Sequence, residues 1–337
     1  MPSNFTTIGA VATVWLLLSS HIAAQVQPLN KFFNLTTFPN EQTENVTRYL
    51  NEAAALGTDG SIHQYFQDQC ITQQLYPGLF SFPPGFVTPF SPFDNLFFVG
   101  HSFVSAWAYN TTDGLVLIDA LDNQDEIDAI LLPALQQFGF QGSSIKHVII
   151  THEHLDHYGG AKYLQDKFKP VVYASEKAWE GMAALGSNAN PPVPVKDKVL
   201  ADSDKLRFGD LMFEIVLTPG HTPSTLSLVF PVYDNGTPHM AGLSGGTGTP
   251  KDALSRGQKI QSNYKFADIC KARGVDTLIS NHQIADHALF HADLLAHRPE
   301  GAPNPFVIGV DNFDSYMKIQ ALCSRVVAAR EGQNLQV

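Results

Sequence analysis

The segment from Thr151 to Gly160 (THEHLDHYGG) concentrates groups that bind metals. Within six consecutive positions it holds three histidines and one aspartate, at His152, His154, Asp156 and His157. Imidazole and carboxylate groups are ligands of divalent transition metals, among which zinc is the commonest. Because side chains alternate along an extended chain, the segment is expected to direct His157 away from the other three and to serve two neighbouring ions. The alternative, a polar surface turn, is disfavoured by three histidines at this density.

Two further histidines follow predicted strands in the same way. His221 lies in the sequence TPGHTP, after a predicted strand at 211–217, and the proline and glycine fix the backbone there. His282 follows a predicted strand at 276–280. Since the apolar run 146–150 also reads as a strand that ends at the histidine-rich segment, all these imidazoles are expected to meet along one sheet edge.

The elements that must position these side chains indicate a layered α/β fold, with sheets in the middle and helices outside. Besides the strands named above, the predicted strands are 96–99, 103–109, 115–120, 171–174 and 225–230. The predicted helices are 125–138, 160–168, 176–185, 265–273 and 314–331. Residues 25–92, rich in Pro, Phe and Asn, are predicted to be irregular and to form an N-terminal extension packed on a domain at 93–337.

Composition limits the classes of partner. The chain has 337 residues, of which 44% are hydrophobic and 16% charged, as expected for an ordered globular protein. Its formal net charge is −11 and it has no basic run, which argues against nucleic acid as a partner. A small-molecule substrate is therefore expected. The sequence carries no indication of the oligomeric state.

The N-terminus predicts a secreted glycoprotein. Residues 1–24 are typical of a signal peptide, with an apolar run at 8–18 and a small-residue cleavage site at Ala23 and Ala24. The run is short for a membrane span, so no stable membrane insertion is expected, and an uncleaved anchor is the lesser alternative. The Asn-X-Ser/Thr sequons that support export are Asn34, Asn45, Asn110 and Asn235.

The three cysteines allow one disulfide in an oxidising compartment. We expect Cys270 to pair with Cys323, because both lie in predicted helices, which leaves Cys70 free. Three buried free thiols are the alternative. None of the cysteines has a CxxC partner, so thiolate zinc sites are excluded.

The complete pattern resembles the metallo-β-lactamase fold superfamily over residues 95–330. The motifs that carry the resemblance are HxHxDH at 152–157, TPGHT at 218–222 and His282. The resemblance implies a four-layer αββα sandwich that holds two zinc ions. It implies a first site of His152, His154 and His221. It implies a second site of Asp156, His157 and His282.

One departure narrows the resemblance. Many hydrolases of the superfamily have a bridging aspartate between the last two histidines, whereas the matching strand end here reads HMAGLSGGTG, at 239–248. In lacking the bridging aspartate, this chain resembles the subclass of metallo-β-lactamases whose second zinc site is Asp-His-His. The absence of this aspartate argues against glyoxalase II, acyl-homoserine lactonases and RNase-Z-type nucleases.

The resemblance implies a hydrolase in which the two zinc ions lower the pKa of a shared water, and the hydroxide attacks a carbonyl carbon. Asp156 would ligate the second ion and orient this nucleophile, and the first ion or donors near Ser244 would stabilise the oxyanion. His101 and Tyr158 are candidates for substrate contact, although Tyr158 could equally be a packing residue.

The predicted function is a secreted zinc hydrolase that opens a β-lactam-like cyclic amide. The alternatives are a lactonase, a thioester hydrolase, and a metal-binding protein without turnover whose pocket is sealed by residues 25–92.

Overall fold

Two β-sheets lie against each other at the centre of the fold. The computed structural model describes residues 31, 36–58, 60–80, 83–335 and 337, and residues Phe38–Val337 form one compact unit, which is described below. The predicted signal peptide at 1–24 and the sequon at Asn34 lie outside the described residues.

The first sheet is mixed, with its parallel part at the centre. In spatial order its strands are β1 (Leu96–Phe98), β2 (Trp107–Thr111), β3 (Gly114–Ile118), β4 (Ile145–Ile149), β5 (Val171–Ser175) and β6 (Lys198–Leu200). Strands β1 to β3 are antiparallel, and β3 to β6 are parallel. Strand β3 (GLVLI) is buried on both faces, as expected for an apolar run in the parallel part of a covered sheet.

The second sheet is antiparallel except at one edge. In spatial order its strands are β11 (Thr277–Ser280), β10 (Thr237–Ser244), β9 (Leu226–Asp234), β8 (Leu211–Leu217) and β7 (Lys205–Phe208). Strands β10 and β11 are parallel to each other. Short β6 and β7 were not predicted, whereas most other predicted elements from residue 96 onward occur with shifted ends.

Three apolar clusters separate the layers. The cluster between the sheets joins residues of the first sheet, such as Trp107 and Val116, to residues of the second, such as Phe213 and Phe230. The other two clusters lie between each sheet and the helices on its outer face. The predicted layered α/β fold is therefore confirmed.

The helices form the outer layers. They are α1 (Thr43–Leu56), α2 (Gly60–Gln67), α3 (Leu132–Gln137), α4 (Leu155–Tyr158), α5 (Ala161–Phe168), α6 (Glu176–Ala183), α7 (Ala253–Arg273), α8 (Gln283–Asp286), α9 (Ala288–Ala296) and α10 (Val310–Arg330). Helix α2 continues through a π-helical turn at Asp68–Thr72 into Gln73–Leu75, and α3 is preceded by Gln124–Glu126 and a π-helical turn at Ile127–Leu131. No helix among the described residues is long and apolar enough to cross a lipid bilayer.

The prediction that residues 25–92 are irregular is wrong for 43–75, which are mainly helical. Helix α1 places Val46, Tyr49, Leu50 and Ala53 on one face by helical spacing, and Val46, Tyr49 and Leu50 contact Val326 of α10. Aromatic, proline and asparagine residues elsewhere in this region hid that periodicity. The division into an extension at 25–92 and a domain at 93–337 stays a prediction.

Helix α7 is much longer than the predicted 265–273. It starts where the Asp252 side chain accepts a hydrogen bond from Ser255 N, and it ends at Gly274, whose φ of +68° suits glycine. Its first half buries polar side chains, Arg256 and Lys259 among them, so no apolar stripe reveals that half.

The predicted disulfide is wrong. Cys70 pairs with Cys323, and Cys270 is a buried free thiol. The π-helical turn after α2 carries Cys70 against α10, and the prediction excluded Cys70 because its segment was expected to be irregular.

Candidate metal centre

The histidine-rich segment leaves β4 as a loop and then becomes a single helical turn. His152 and His154 belong to the loop, whereas Asp156 and His157 belong to α4. The predicted alternation of an extended chain is therefore wrong beyond His154. The change from loop to helix, not alternation, separates the two pairs of side chains.

The first cluster consists of His152, His154 and His221, the last from the turn between β8 and β9. His152 Nε2 and His221 Nε2 each lie 3.1 Å from His154 Nδ1. His152 is fully buried, whereas His154 is exposed. Three imidazole nitrogens therefore converge at a point that solvent can reach.

The second cluster consists of Asp156, His157 and His282, the last directly after β11. The Nε2 atoms of His157 and His282 are 3.1 Å apart. Asp156 Oδ2 lies 3.3 Å from the first and 3.5 Å from the second. The two clusters are neighbours, since the rings of His152 and His157 are 4.2 Å apart.

Both clusters fit zinc. Ligand atoms about 2.0–2.1 Å from a tetrahedral zinc ion lie about 3.3 Å from one another, which matches the spacings within each cluster. A set of three ligands leaves a fourth position for water or substrate, as in catalytic zinc sites. The structure thus brings together all six side chains that the sequence singled out, and their role as ligands remains a proposal.

Hydrogen bonds to carbonyl groups set the tautomer of two of these histidines. His221 Nδ1 lies 2.9 Å from Gly248 O, and His282 Nδ1 lies 3.0 Å from Phe103 O. Because a carbonyl oxygen only accepts, each Nδ1 carries the proton and donates it. The Nε2 lone pairs are therefore directed at the clusters, as metal binding requires.

Asp119, which the sequence analysis missed, supports the second cluster through its contact with His157. It is fully buried at the end of β3. Its Oδ2 lies 2.8 Å from His157 Nδ1, and its two oxygens accept hydrogen bonds from Thr151 N and Thr151 Oγ1. Asn281 Nδ2 joins this network through Thr151 Oγ1 at 3.0 Å. Its position directly after a strand, beside the one that leads to the histidines, was the signal that could have revealed Asp119.

A glycine-rich turn and a buried lysine support the first cluster. A Cβ on Gly246 would lie 2.6 Å from His221 Cβ, so only glycine allows the turn to pack this closely. Lys259, 3% exposed, donates from Nζ to Gly246 O at 2.7 Å. Burial lowers the pKa of this ammonium to about 8. Lysines of helices are usually solvated, so this role of Lys259 could not be predicted from the sequence.

Electrostatics differ between the histidines. Burial, with a smaller effect of Lys259, lowers the pKa of His221 to about 3, and burial lowers that of His282 to about 4. Both imidazoles are neutral near pH 7, as ligands must be. Burial also acts to lower the pKa of His157, but Asp119 and Asp156 raise it to about 10. The second cluster is therefore built to stabilise positive charge.

Two of the predicted substrate contacts are not at the centre. Tyr158 is 2% exposed and belongs to the apolar cluster behind the first sheet, so its ring is a packing residue. Ser244 ends β10 beside Ser280. Neither Tyr158 nor Ser244 is among the residues that line the cleft described below, and their role in substrate binding stays a prediction.

His101 lies next to the centre, in a group with two carboxylates. Its ring is 3% exposed and groups with Asp122 and Glu126. His101 Nδ1 accepts hydrogen bonds from Phe103 N and Val104 N, so the neutral ring carries its proton on Nε2, which lies 3.7 Å from Glu126 Oε2. An N–H group directed at carboxylates does not ligate a metal, so this third group is not a zinc site.

A cleft of about 280 Å³ opens onto both clusters. Besides four of the candidate ligands, its lining residues are Gln69, Gln73, Phe103, Thr247, Gly248 and Ile284. Gln69 and Gln73 come from the segment after α2, so the N-terminal region forms one wall of the cleft. The centre is thus open, and the described part of the N-terminal region borders it through Gln69 and Gln73.

Known proteins share both the sequence pattern and the fold. Residues 99–234 match the family model of the metallo-beta-lactamase superfamily. A hydroxyacylglutathione hydrolase of Chromohalobacter salexigens is 27% identical over 131 residues, which are 39% of this chain and 42% of that protein. Another, of Rhodopseudomonas palustris, is 32% identical over 98 residues, which are 29% of this chain and 34% of that protein. The chain thus matches less than half the length of these curated relatives.

Solved structures match over a larger part of the chain. The FEZ-1 metallo-beta-lactamase from Legionella gormanii is 21% identical, with a TM-score of 0.61 over 71% of this chain and 95% of that one. The subclass B3 metallo-beta-lactamase BJP-1 of Bradyrhizobium japonicum is 22% identical, with a TM-score of 0.58 over 70% of this chain and 91% of that one. At these identities the likeness shows a common fold. The segment that matches the family model, residues 99–234, contains five of the six residues of the paired clusters.

Proposed function

We propose that this chain is a secreted zinc-dependent hydrolase that binds two zinc ions and opens a β-lactam-like cyclic amide. The observation that carries the proposal is the pair of adjacent three-ligand clusters at the floor of an open cleft. The hydrolase names of its sequence relatives and the lactamase names of its structural relatives support this reaction class.

Zinc held by the two clusters would supply Lewis acidity, which polarises a carbonyl group and lowers the pKa of water. The protein must then orient the reactants. Asp156 lines the cleft while its Oδ2 faces His157 and His282, so its carboxylate can accept a hydrogen bond from the attacking water. Asp156 thereby serves both as a ligand and as an orienting group.

The predicted oxyanion donors near Ser244 are assigned to Thr247 and Gly248. Both line the cleft beside His221, and their backbone N–H groups have no hydrogen-bond partner within the described part of the chain. Two neighbouring N–H groups in a turn are suited to stabilise negative charge on a carbonyl oxygen. The turn is held in place by Lys259, so these donors are positioned before substrate binds.

Secretion is supported by cysteine chemistry as well as by the N-terminal sequence. The Cys70–Cys323 disulfide requires an oxidising compartment to form and persist. Asn110 and Asn235 are exposed, as glycan acceptors must be. Expression in a secreting eukaryotic host tests this part: the protein should appear in the medium and gain mobility after glycosidase treatment, and retention inside the cell without glycans would contradict it.

Thioester hydrolysis is the second candidate, because the curated relatives are named hydroxyacylglutathione hydrolases. The test compares the hydrolysis of a chromogenic cephalosporin, a lactone and an acylglutathione by purified protein whose zinc content is measured. Cephalosporin hydrolysis that is lost on chelation and restored by zinc supports the main proposal. Turnover of the thioester alone supports the alternative, and no turnover with two bound zinc ions contradicts both.

A further inference from the structure

The cleft has one wall that the metal-binding loops do not supply. This wall is the π-helical turn Asp68–Thr72 together with Gln73, and it faces the candidate ligands across the cleft. π-Helical turns within helices are frequent at functional sites, because the extra residue redirects side chains. Here the turn places Gln69 and Gln73 in the lining.

The wall is fixed to the rest of the fold. The Cys70–Cys323 disulfide ties the turn to α10, and Arg330 of that helix donates to Gln74 Oε1 at 2.6 Å. Gln69 Nε2 donates to Ile284 O at 3.2 Å on the opposite side. A wall held at three points is preorganised, so its side chains can discriminate between substrates without first being ordered.

The wall offers neutral hydrogen-bonding groups to a substrate. The Gln73 side-chain amide is partly exposed and has no hydrogen-bond partner among the described residues. Phe103, which is 45% exposed, and Ile284 add apolar surface. The amide can donate to a carbonyl oxygen or accept from a hydroxyl, and the apolar groups suit a hydrocarbon ring.

The cleft lacks a fixed cation. Within Phe38–Val337, no described lysine or arginine lines it. Lys259, behind the glycine-rich turn, is buried and donates to a carbonyl of the protein itself. Asp122 and Glu126 lie nearby with His101, and the whole chain has a net charge of −11. The charges of the protein itself, taken without those of bound zinc, therefore disfavour a substrate that carries a carboxylate.

We propose that this wall, through Gln73, selects uncharged acyl substrates over those that carry a carboxylate. The inference rests on the proposed hydrolase function and specifies its substrate class. Penicillins, cephalosporins and glutathione thioesters all carry a carboxylate at neutral pH. A lactone or a cyclic amide without an acidic group fits the cleft, whose 280 Å³ is slightly below the range of about 300–1,000 Å³ for sites of drug-sized ligands.

A matched pair of substrates tests the inference: a chromogenic cephalosporin and its methyl ester, which share the scissile bond and differ in charge. The zinc-loaded protein is expected to hydrolyse the ester with a kcat/KM about tenfold higher than that of the free acid. An equal or higher value for the free acid would overturn the inference.

Because bound zinc attracts any anion, variants must isolate the effect of the wall. Gln73→Lys is expected to raise the ratio of kcat/KM for the free acid to kcat/KM for the ester about tenfold, because it adds a positive charge to the wall. The matched control, Gln73→Leu, removes the amide without adding charge, and it should lower kcat/KM for the ester a few-fold without helping the free acid. An unchanged ratio of the two substrates in Gln73→Lys would contradict the role of the wall.

Failure of the proposed function would be distinguishable from failure of this inference. If the protein binds two zinc ions but hydrolyses neither compound, the hydrolase proposal fails. The affinities of the two cephalosporins for the zinc-loaded protein, measured by calorimetry, then decide the inference. Tighter binding of the ester supports it, and tighter binding of the acid overturns it.

Discussion

The two metal clusters lie side by side but are supported by different physical means. The second cluster rests on a buried carboxylate, since Asp119 faces His157 Nδ1 and also accepts from Thr151. In the first cluster, His221 is held by Gly248 O and by close packing against glycines. His152 of this cluster connects to the Asp119 network through Thr151 Oγ1, which lies 3.1 Å from its Nδ1. Removal of the single Asp119 charge should weaken the second cluster, whereas the position of His221 depends on several residues of the glycine-rich turn.

Because of this difference, the two clusters are expected to differ in how firmly they retain zinc and in how accessible the ion is. The second is enclosed, with His157 fully buried and His282 8% exposed, so it should retain its ion firmly. The first includes the exposed His154, so its ion should be more accessible to substrate and to chelators. Variants that remove a ligand, a charge or a hydrogen bond from one cluster test whether the two clusters are supported differently.

The largest effect is expected for His282→Ala, which removes a ligand of the second cluster. Bound zinc should fall from two ions to one per chain, and activity by at least about 100-fold, since loss of a ligand costs more than the 10–100-fold known for outer partners. Elemental analysis of purified protein measures this, with the exposed His297→Ala as a control that keeps two ions. Retention of two ions by His282→Ala would show that the second-site assignment is wrong.

Next in size is Asp119→Ala, which leaves His157 and Thr151 without their buried partner. We expect a loss of about 3–5 kcal/mol in the free energy of unfolding, the usual cost of breaking a buried pair. Zinc should be lost from the second cluster before the first. Urea denaturation and zinc titration check both effects against Asp128→Ala, which removes a surface carboxylate. Equal weakening of both clusters would contradict a stronger dependence of the second cluster, which Asp119 contacts directly, than of the first, which it reaches through Thr151.

Lys259→Met tests the support of the first cluster through pH. Burial lowers the pKa of Lys259 from 10.5 to about 8 in the folded state, so the cost of burying its charge is fully present below pH 8. Between pH 8 and pH 10.5, Lys259 loses its proton in the folded protein but keeps it in the unfolded chain. The free-energy cost of burying the charge therefore disappears over this range. Relative to Lys259→Met, the wild type should therefore gain on the order of 3 kcal/mol of stability as pH rises through this window. Denaturation of both proteins at several pH values measures the difference, and a constant difference would contradict the buried charge.

The smallest effect is expected for Glu153→Ala. Its Oε2 accepts hydrogen bonds from Thr222 Oγ1 and Ser224 Oγ, which joins the loop of His154 to the turn of His221. Removal should lower the free energy of unfolding by about 1 kcal/mol and raise KM a few-fold, without loss of zinc from the second cluster. Thermal unfolding and kinetics are compared with the exposed Glu180→Ala. Loss of zinc from the second cluster alone would contradict the proposal that Glu153 supports the first cluster.

The sequence predicted the candidate ligands because each follows an apolar strand, and strand ends of a layered fold meet. It missed Asp119, since an acid at the end of an apolar run was assigned to the strand itself. It missed Lys259 because a buried lysine and a solvated lysine are identical in sequence. Their roles depend on which backbone carbonyl lies within reach, which only the folded chain determines.

The N-terminal region was predicted least well. Its helices pack on α10, more than 250 residues away in sequence, and a pattern read locally contains no trace of that partner. The wrong disulfide followed from the same error, since Cys70 could not be paired while its helix was unrecognised. The same error affected the prediction of the site, because Gln69 and Gln73, which line the cleft, were not among the predicted pocket residues.

The Cys70–Cys323 bond also determines how the protein behaves when its chain is cut. Residues Pro83–Phe86 are exposed, with Phe86 75% exposed, and they lie between the helical segment and β1. A protease that cleaves there would produce two polypeptides that stay covalently joined and move as one band in a denaturing gel without reductant. Only after a thiol is added to the denatured sample would the smaller fragment, which carries Gln69 and Gln73, migrate as a separate band.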